Sequence, residues 1–166
     1  MSISASPILL RPAVAGDVPL VLDLVRELAI YERLADEAVA TAADMHAALF
    51  GPRPAAEVVI AECDGTPAGF ALFFVSFSTF LGKPGLYLED LFVRPEHRGR
   101  GVGLRLMGHL ARLATERGYG RFEWSVLDWN TPAIEFYRRL GARPMDGWTV
   151  QRLSGEALSA LARSQG

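Results

Sequence analysis

Two different spacings of hydrophobic residues divide the chain into predicted strands and helices. Short runs rich in β-branched and aromatic side chains are typical of strands, and they occupy 8–10, 57–63, 69–77, 87–93 and 121–127. Hydrophobic residues three or four positions apart indicate amphipathic helices, which begin at Asp17 and also occupy 41–50, 106–114 and 133–140. Because strands and helices are mixed along a chain of this size, the pattern predicts one α/β (α+β) domain covering residues 1–166.

Local turn signals predict how several of these elements begin and end. The turn residues at 64–67, between two β-rich runs, predict an antiparallel hairpin. Thr41 and Asp44 have the spacing of a capping box at a helix start. Near the C-terminus, 148–153 is predicted to be a final strand that pairs with the stretch following the preceding helix. The tail from Ser154 is predicted to be a short helix.

The segment from Tyr87 to Gly103 carries the most specific pattern in the chain. Its first part is an apolar strand interrupted by two adjacent acids, Glu89 and Asp90. The strand must end near Pro95, because proline has no amide hydrogen to give to a sheet. A basic, glycine-rich turn follows, in which glycines allow several backbone N–H groups to converge and the following helix adds its dipole. The segment therefore predicts an anion site that fits a pyrophosphate.

Composition excludes several functional classes. The formal net charge of −2 provides no basic field, so a nucleic-acid partner is not expected. The most apolar segment, 68–77, is about half as long as a membrane span, and the N-terminus lacks the pattern of a secretory signal. We therefore expect a cytoplasmic protein without a membrane partner. The single cysteine, Cys63, and the scattered histidines predict neither a disulfide nor a metal site.

The basic turn has the form Arg98-x-x-Gly101-x-Gly103, which is neither a Walker A loop nor a complete GxGxxG dinucleotide motif. It resembles the acyl-CoA loop of the GCN5-related N-acetyltransferases (GNAT). The segments ELAIYE, YLEDLFV, RGRGVG and WNTPAIEFYRRLGA are similar to the spermidine/spermine (diamine) acetyltransferase group within that superfamily. The resemblance implies a mixed central sheet of about six to seven strands, antiparallel at its N-terminal side, with splayed central strands and flanking helices.

The same resemblance implies acetyl-CoA as co-substrate. The basic turn would bind its pyrophosphate, while backbone groups at the end of the preceding strand would pair with the pantetheine arm and reach the thioester oxygen. The cofactor-binding residues implied in this way are Leu91, Phe92, Val93, Arg98, Gly99, Arg100, Gly101, Val102, Gly103, Asn130 and Tyr137.

Acetyl transfer to an amine needs a group that collects the amine proton and a group that protonates the departing thiolate. Glu89 matches the carboxylate that collects the proton, through water, in diamine-type members, and Tyr137 is implied as the acid. Asp90 is interpreted as either an acceptor contact or a structural acid, because only one of two adjacent residues faces the cleft in a regular strand. No cysteine or serine has the context of a nucleophile, so direct transfer in a ternary complex is expected.

The resemblance implies that the acceptor is a primary amine of a small molecule, such as a diamine, a polyamine or a lysine-like amino acid. Glu27, Tyr31 and Glu32 lie where the diamine-type group borders its acceptor site, although they could equally be solvated surface residues. Ser78 and Thr79 stand where polyamine acetyltransferases place an acid, which disfavours a polyamine. The alternatives are acetylation of a protein N-terminus or an antibiotic amine, and a catalytically silent acyl-CoA-binding module. A homodimer is expected.

Overall fold

The computed structural model describes residues 7–164, and the chain divides into two compact units, of which the first ends at Leu127 and the second begins at Asp128. The first unit contains strands β1 (Ile8–Pro12), β2 (Glu57–Cys63), β3 (Thr66–Ser78), β4 (Lys83–Val93) and β5 (Phe122–Trp124), and helices α1 (Val18–Tyr31), α2 (Ala42–Phe50) and α3 (Val102–Glu116). The second contains helices α4 (Thr131–Arg139) and α5 (Gly155–Ser164). One domain over residues 1–166 stays a prediction.

The strands of the first unit form one mixed sheet in the order β1-β2-β3-β4-β5. Neighbours from β1 to β4 are antiparallel, whereas β4 and β5 are parallel. This arrangement confirms the predicted α/β class and the antiparallel N-terminal side. A parallel pair needs a crossover connection, and α3 provides it.

The sheet has five strands in the described part of the chain rather than six to seven. The segment predicted as a final strand, 148–153, has no regular secondary structure, and Trp148 and Val150 are 80% and 82% exposed. Its β-rich composition is not sufficient, because a strand needs a neighbour to pair its backbone groups. The strand predicted at 121–127 is also shorter, since its ladder with β4 ends at Trp124.

Local turn chemistry follows the sequence closely. Asp64 and Gly65 both have positive φ angles, 54° and 73°, as a two-residue hairpin turn with the right-handed twist of its strands requires. The Thr41 hydroxyl accepts a hydrogen bond from the Asp44 backbone N–H at 3.2 Å. The Asp44 carboxylate accepts one from the Thr41 N–H at 2.9 Å. The predicted hairpin and capping box are therefore confirmed.

Helices cover the sheet because its strands are apolar on both faces. Adjacent residues of β2, Ile60 and Ala61, are both fully buried, and adjacent residues of a strand face opposite sides. Helix α1 packs against α2, β3 and β4, and α3 packs against β3 and β4. The cluster beneath α1 contains Val21, Leu24, Leu28, Leu49, Val58, Ile60, Phe70 and Phe92. This core fixes the end of α1 relative to the end of β4.

Candidate functional site

Strand β4 contains a bulge at the two acidic residues. Leu72 of β3 lies opposite Asp90 and Phe73 lies opposite Leu88, so Glu89 has no partner in the ladder. A bulge places two residues opposite one, increases the local twist and redirects side chains, and it often occurs beside active sites. Alternation of side chains therefore does not carry across Glu89, although it holds from Asp90 to the end of the strand.

Asp90 lies in an electrostatically unfavourable position. It lies two positions before Phe92, which packs in the cluster beneath α1, so the Asp90 side chain is on the α1 face of the sheet. Burial, together with the negative charges of Glu89 and Glu32, raises the pKa of Asp90 to about 6. Burial also raises the pKa of Glu32. Carboxylates held in this way favour a bound cation, because a positive charge offsets both burial and mutual repulsion.

The turn that ends α1 carries Glu32 to this position. The Leu34 N–H donates to the Ala29 carbonyl at 2.8 Å and the Arg33 N–H donates to the Ile30 carbonyl at 3.1 Å, which is the bonding pattern of a Schellman motif. Arg33 has a φ of 62°, a left-handed conformation that costs a non-glycine residue about 1 kcal/mol or more. The two hydrogen bonds hold this turn, and they place Glu32 in the cap.

Glu27 is engaged elsewhere. Its carboxylate accepts hydrogen bonds from Arg94 Nη2 at 2.7 Å and from Arg94 Nε at 3.0 Å. The third branch of the guanidinium donates to the Pro67 carbonyl at 3.1 Å. This bidentate pair ties α1 to the end of β4, and it balances the charge of Glu27. Sequence reasoning missed Arg94, since nothing in its spacing signals a partner 67 positions away.

The end of β4 presents backbone groups along an open edge. The Arg94 N–H donates to the Ala68 carbonyl at 2.8 Å. Because peptide groups alternate in an antiparallel ladder, those of Val93 and Leu91 point away from β3, toward the side of β5. The parallel ladder with β5 ends at Leu88. The edge beyond Leu88 can therefore pair with an extended ligand that carries amide groups.

The glycine-rich turn leads directly into the N-terminus of α3. Gly99 and Gly101 have φ angles of 74° and 84°, and Gly101 is the N-cap residue, with no side-chain cap. The Arg105 N–H donates to the Gly101 carbonyl at 2.9 Å, so the N–H groups of 102–104 precede the first helical hydrogen bond. Uncapped N–H groups at a helix N-terminus are suited to bind phosphate oxygens.

The Arg98 side chain turns back toward the strand end and α1. Its Nε donates to the Val93 carbonyl at 2.9 Å. The guanidinium carbon lies 4.9 Å from the centroid of the Tyr31 ring and 5.6 Å from that of Phe92. Arg98 is predicted to bind a diphosphate, but its side chain contacts other residues of this chain. The turn would therefore bind such a ligand through its backbone N–H groups.

The Arg100 side chain also contacts other residues of this chain. Its Nη2 lies 3.4 Å from a carboxylate oxygen of Asp64, and its Nη1 lies 3.5 Å from Nδ1 of His97. Arg100 and Asp64 are both substantially solvent-exposed, so this ion pair contributes little to stability. It can exchange for an anionic ligand.

Ser78 and Thr79, the residues that disfavour a polyamine, lie where β3 ends. Ser78 is buried, and its hydroxyl accepts a hydrogen bond from the Leu81 N–H at 3.3 Å. Thr79 is exposed. Ser78 therefore serves the turn between β3 and β4, and neither residue supplies the negative charge of a polyamine site.

In the second unit, Asn130 and Tyr137 lie on the first helix. Asn130 is 6% exposed, and its side-chain oxygen accepts a hydrogen bond from the Ala133 N–H at 3.4 Å, which makes it the N-cap of α4. Tyr137 is half-buried, and its ring centroid lies 5.4 Å from that of Phe136. The roles of both residues toward a cofactor stay predictions.

Between residues 7 and 164, no helix is both long enough and apolar enough to cross a membrane. The same residues contain no cluster of three or more histidine, cysteine or acidic side chains that could hold a metal ion.

Comparisons with known proteins agree with this geometry. Residues 25–142 match the family model described as Acetyltransferase (GNAT) family. The chain is 36% identical to a thialysine N-epsilon-acetyltransferase of Sus scrofa, over 93% of this chain and 97% of that protein. It is 32% identical to an L-ornithine N5-acetyltransferase of Arabidopsis thaliana, over 92% of this chain and 86% of that protein.

Solved structures with the same fold come from several sources. An integron cassette protein from the mobile metagenome of V. cholerae superposes with a TM-score of 0.79 at 28% identity, over 94% of this chain and 98% of that one. An aminoglycoside acetyltransferase from a soil metagenome superposes with a TM-score of 0.74 at 18% identity, over 89% of this chain and 97% of that one. The second likeness concerns the fold alone.

Proposed function

Because this chain belongs to the acetyltransferase (GNAT) family, we propose that it transfers an acetyl group from acetyl-CoA to the side-chain amine of a lysine-like or ornithine-like amino acid. It is an N-acetyltransferase. The observation that carries the choice of acceptor is the half-buried Asp90, whose pKa of about 6 reflects partial burial and two neighbouring acids. A primary ammonium group relieves that unfavourable electrostatic environment.

The names of the relatives support this acceptor class. Thialysine and ornithine, the substrates in those names, both carry a primary amine at the end of a short side chain. Ser78 and Thr79, in place of an acid, argue against a polyamine with several charges. Glu32 is the partner that we assign to the ammonium group together with Asp90, and Tyr31 lies beside Glu32 on the same turn.

The co-substrate would occupy the turn and the open strand edge. The uncapped N–H groups of 102–104 would bind the diphosphate, with Gly99 and Gly101 shaping the turn. The peptide groups of Leu91 and Val93 would pair with the pantetheine amides, and one of their N–H groups would stabilise the oxyanion that forms on the thioester carbonyl. Acetyl-CoA supplies the activated acetyl group when it is bound.

The proton balance assigns one role to each titratable group. A free primary amine has a pKa near 10.4, so it arrives as an ammonium ion and must lose a proton before its nitrogen can attack. Glu89, through water, collects that proton in our proposal. The new bond joins the amine nitrogen to the acetyl carbon, the carbon–sulfur bond breaks, and the Tyr137 phenol protonates the departing thiolate. The nitrogen loses its second proton as it becomes an amide, and that proton restores the phenol.

A thiol-release screen tests the proposal. Purified protein with acetyl-CoA is incubated with thialysine, lysine, ornithine, putrescine, spermidine, a peptide with a free N-terminus and an aminoglycoside. We expect the highest kcat/KM for the amino acids with a side-chain amine, and mass spectrometry should place the acetyl group on that amine. A preference for the peptide or the aminoglycoside, or no thiol release with any amine, would contradict it.

Replacing Gly101 with alanine is expected to weaken coenzyme A binding about tenfold. The φ of 84° at Gly101 costs an L side chain about 1–2 kcal/mol, so the turn would relax and move the N–H groups that follow. Isothermal titration calorimetry with coenzyme A measures the effect. The matched control is Gly108→Ala, a glycine inside α3 whose added Cβ would meet nothing within 4 Å. An unchanged affinity of Gly101→Ala for coenzyme A would show that the turn does not bind it.

We further propose a cytoplasmic homodimer. Support for association comes from the end of β3 and the turn that follows it, where Phe77 and Phe80 are 61% and 98% exposed, since exposed aromatic groups often mark contact surfaces. The molar mass from light scattering distinguishes a dimer from a monomer.

A further inference from the structure

Arg98 makes three contacts that do not involve an anion. Its Nε donates to the Val93 carbonyl at 2.9 Å, and its guanidinium carbon lies 4.9 Å from the Tyr31 ring centroid and 5.6 Å from the Phe92 ring centroid. A guanidinium group is planar, so it can stack on aromatic faces while its edge donates hydrogen bonds. Both ring distances lie within the range of an attractive cation–π contact.

These contacts join the two halves of the candidate site. Val93 belongs to the open strand edge that we assign to the co-substrate. Tyr31 is the last residue of α1 and precedes Glu32, whose charge helps to raise the pKa of Asp90. Arg98 itself begins the glycine-rich turn. One side chain therefore contacts the co-substrate edge and the end of the helix that carries the acceptor carboxylate.

We propose that Arg98 is a positioning residue that couples the two substrate sites, holding Tyr31 and the end of α1 in the acceptor-binding arrangement when the glycine-rich turn is occupied. This inference rests on the proposed function. A diphosphate on the N–H groups of the turn orders the backbone from which Arg98 projects. The ordered guanidinium then fixes the Tyr31 ring. Coenzyme A should consequently raise the affinity for the amine, and by linkage the amine should raise the affinity for coenzyme A by the same factor.

The alternative role for Arg98 is a direct contact with the diphosphate. A phosphate ligand would act mainly as a positive charge, which lysine can supply, and its loss would weaken coenzyme A binding without affecting the coupling. A positioning residue depends on the flat guanidinium, which lysine cannot reproduce at a stacked site. The two roles therefore predict opposite results for Arg98→Lys.

Calorimetry with thialysine as the amine probe separates the roles. Thialysine is titrated into the protein alone and into protein saturated with coenzyme A, which cannot transfer an acetyl group. In the unsubstituted protein we expect coenzyme A to tighten thialysine binding roughly fivefold to tenfold, the range of a partly buried cation–π contact. In Arg98→Lys and Arg98→Met the factor should fall close to 1, with coenzyme A affinity changed less than about threefold.

Two Tyr31 variants complete the test. Tyr31→Leu removes the ring and should abolish the coupling, and combining it with Arg98→Met should cause no further loss, because both changes break one contact. Tyr31→Phe keeps the ring and should keep the coupling factor. Thermal unfolding checks that each variant is folded, and the lysine and phenylalanine variants are conservative enough to serve if a larger change is not tolerated.

Two results would overturn the inference. One is coupling that persists in Arg98→Met, and the other is a coenzyme A affinity that falls tenfold or more in Arg98→Met and is restored in Arg98→Lys. If either result is obtained while the unsubstituted protein binds coenzyme A and acetylates thialysine, the proposed function still holds. A protein that binds no coenzyme A in its unsubstituted form would instead reject the proposed function.

Discussion

Replacing Asp90 with asparagine is expected to raise the free energy of unfolding at pH 7 by up to about 3 kcal/mol while lowering kcat/KM for the amine. The stability gain follows from the pKa of Asp90, which is about 6 in the folded protein and 3.8 ordinarily. Below about pH 4 the carboxyl is protonated in both states. Between pH 4 and pH 6 only the folded state keeps the proton, so stability falls as the pH rises through this window and stays low above it. Asparagine carries no charge at any of these pH values.

Urea denaturation at pH 4 and pH 7 measures this prediction. At pH 4 the unsubstituted protein and Asp90→Asn should have similar free energies of unfolding. At pH 7 Asp90→Asn should be more stable. Glu89→Gln is the comparison at the neighbouring position. It removes one of the charges that act on Asp90 but leaves the burial, which is the largest cause of the raised pKa, so it should increase stability at pH 7 by less than Asp90→Asn does. A stability difference for Asp90→Asn that does not depend on pH would contradict the electrostatic explanation.

The activities of the same two variants separate the roles of the two acids. Glu89→Gln should reduce the rate most at neutral pH and less at high pH, where the amine loses its proton without help. Asp90→Asn should raise KM for the amine, because the negative charge that balances the ammonium group is lost. An unchanged KM would indicate that Asp90 has a structural role and does not contact the amine. A stabilising substitution that impairs binding is the expected behaviour of a strained functional site.

Replacing Tyr137 with phenylalanine is expected to lower kcat by about 10²- to 10⁴-fold, the range for losing a general acid. An ordinary phenol (pKa about 10) is a weaker acid than a thiol (about 8.5), so proton donation to the thiolate costs about 2 kcal/mol. That cost is small beside the barrier reduction of an enzyme. Coenzyme A affinity should remain within a few-fold of the unsubstituted protein, because a single hydroxyl is removed.

Steady-state kinetics with two thioesters provides the measurement. An acetyl thioester of a more acidic thiol needs less protonation as it leaves, so the loss in Tyr137→Phe should shrink with that substrate. Tyr87→Phe is the control, since it removes a hydroxyl that lies 2.8 Å from the Ser125 hydroxyl, and it should alter kcat only slightly. An equal loss with both thioesters, or no loss at all, would reject the acid role of Tyr137.

The candidate site illustrates how similar sequence signals led to different structural outcomes. Glu27 and Glu32 have equal standing as acceptor ligands in the sequence. In the structure Arg94 neutralises Glu27, whereas Glu32 acts on Asp90. Both arginines of the basic turn were expected to add charge for an anion, and each contacts a protein group instead. These differences depend on which residues meet across the fold.

The sequence by itself determined the features that depend on short stretches of chain. The hairpin turn at Asp64 and Gly65, the capping box at Thr41 and the end of β4 before Pro95 follow from local backbone preferences, since each is decided by residues a few positions apart. The glycine-rich turn before α3 is local in the same sense. The family resemblance rests on such segments as well.

Only the tertiary structure decided the register and the long-range pairs. The bulge at Glu89 depends on how β3 and β4 align, the pair between Glu27 and Arg94 joins residues 67 positions apart, and the stack of Arg98 on Tyr31 requires α1 to pack beside the end of β4. The segment 148–153 failed to form a strand for the same reason. Hydrogen bonds between strands and burial of charged groups are properties of neighbours in space, which spacing along the chain does not specify.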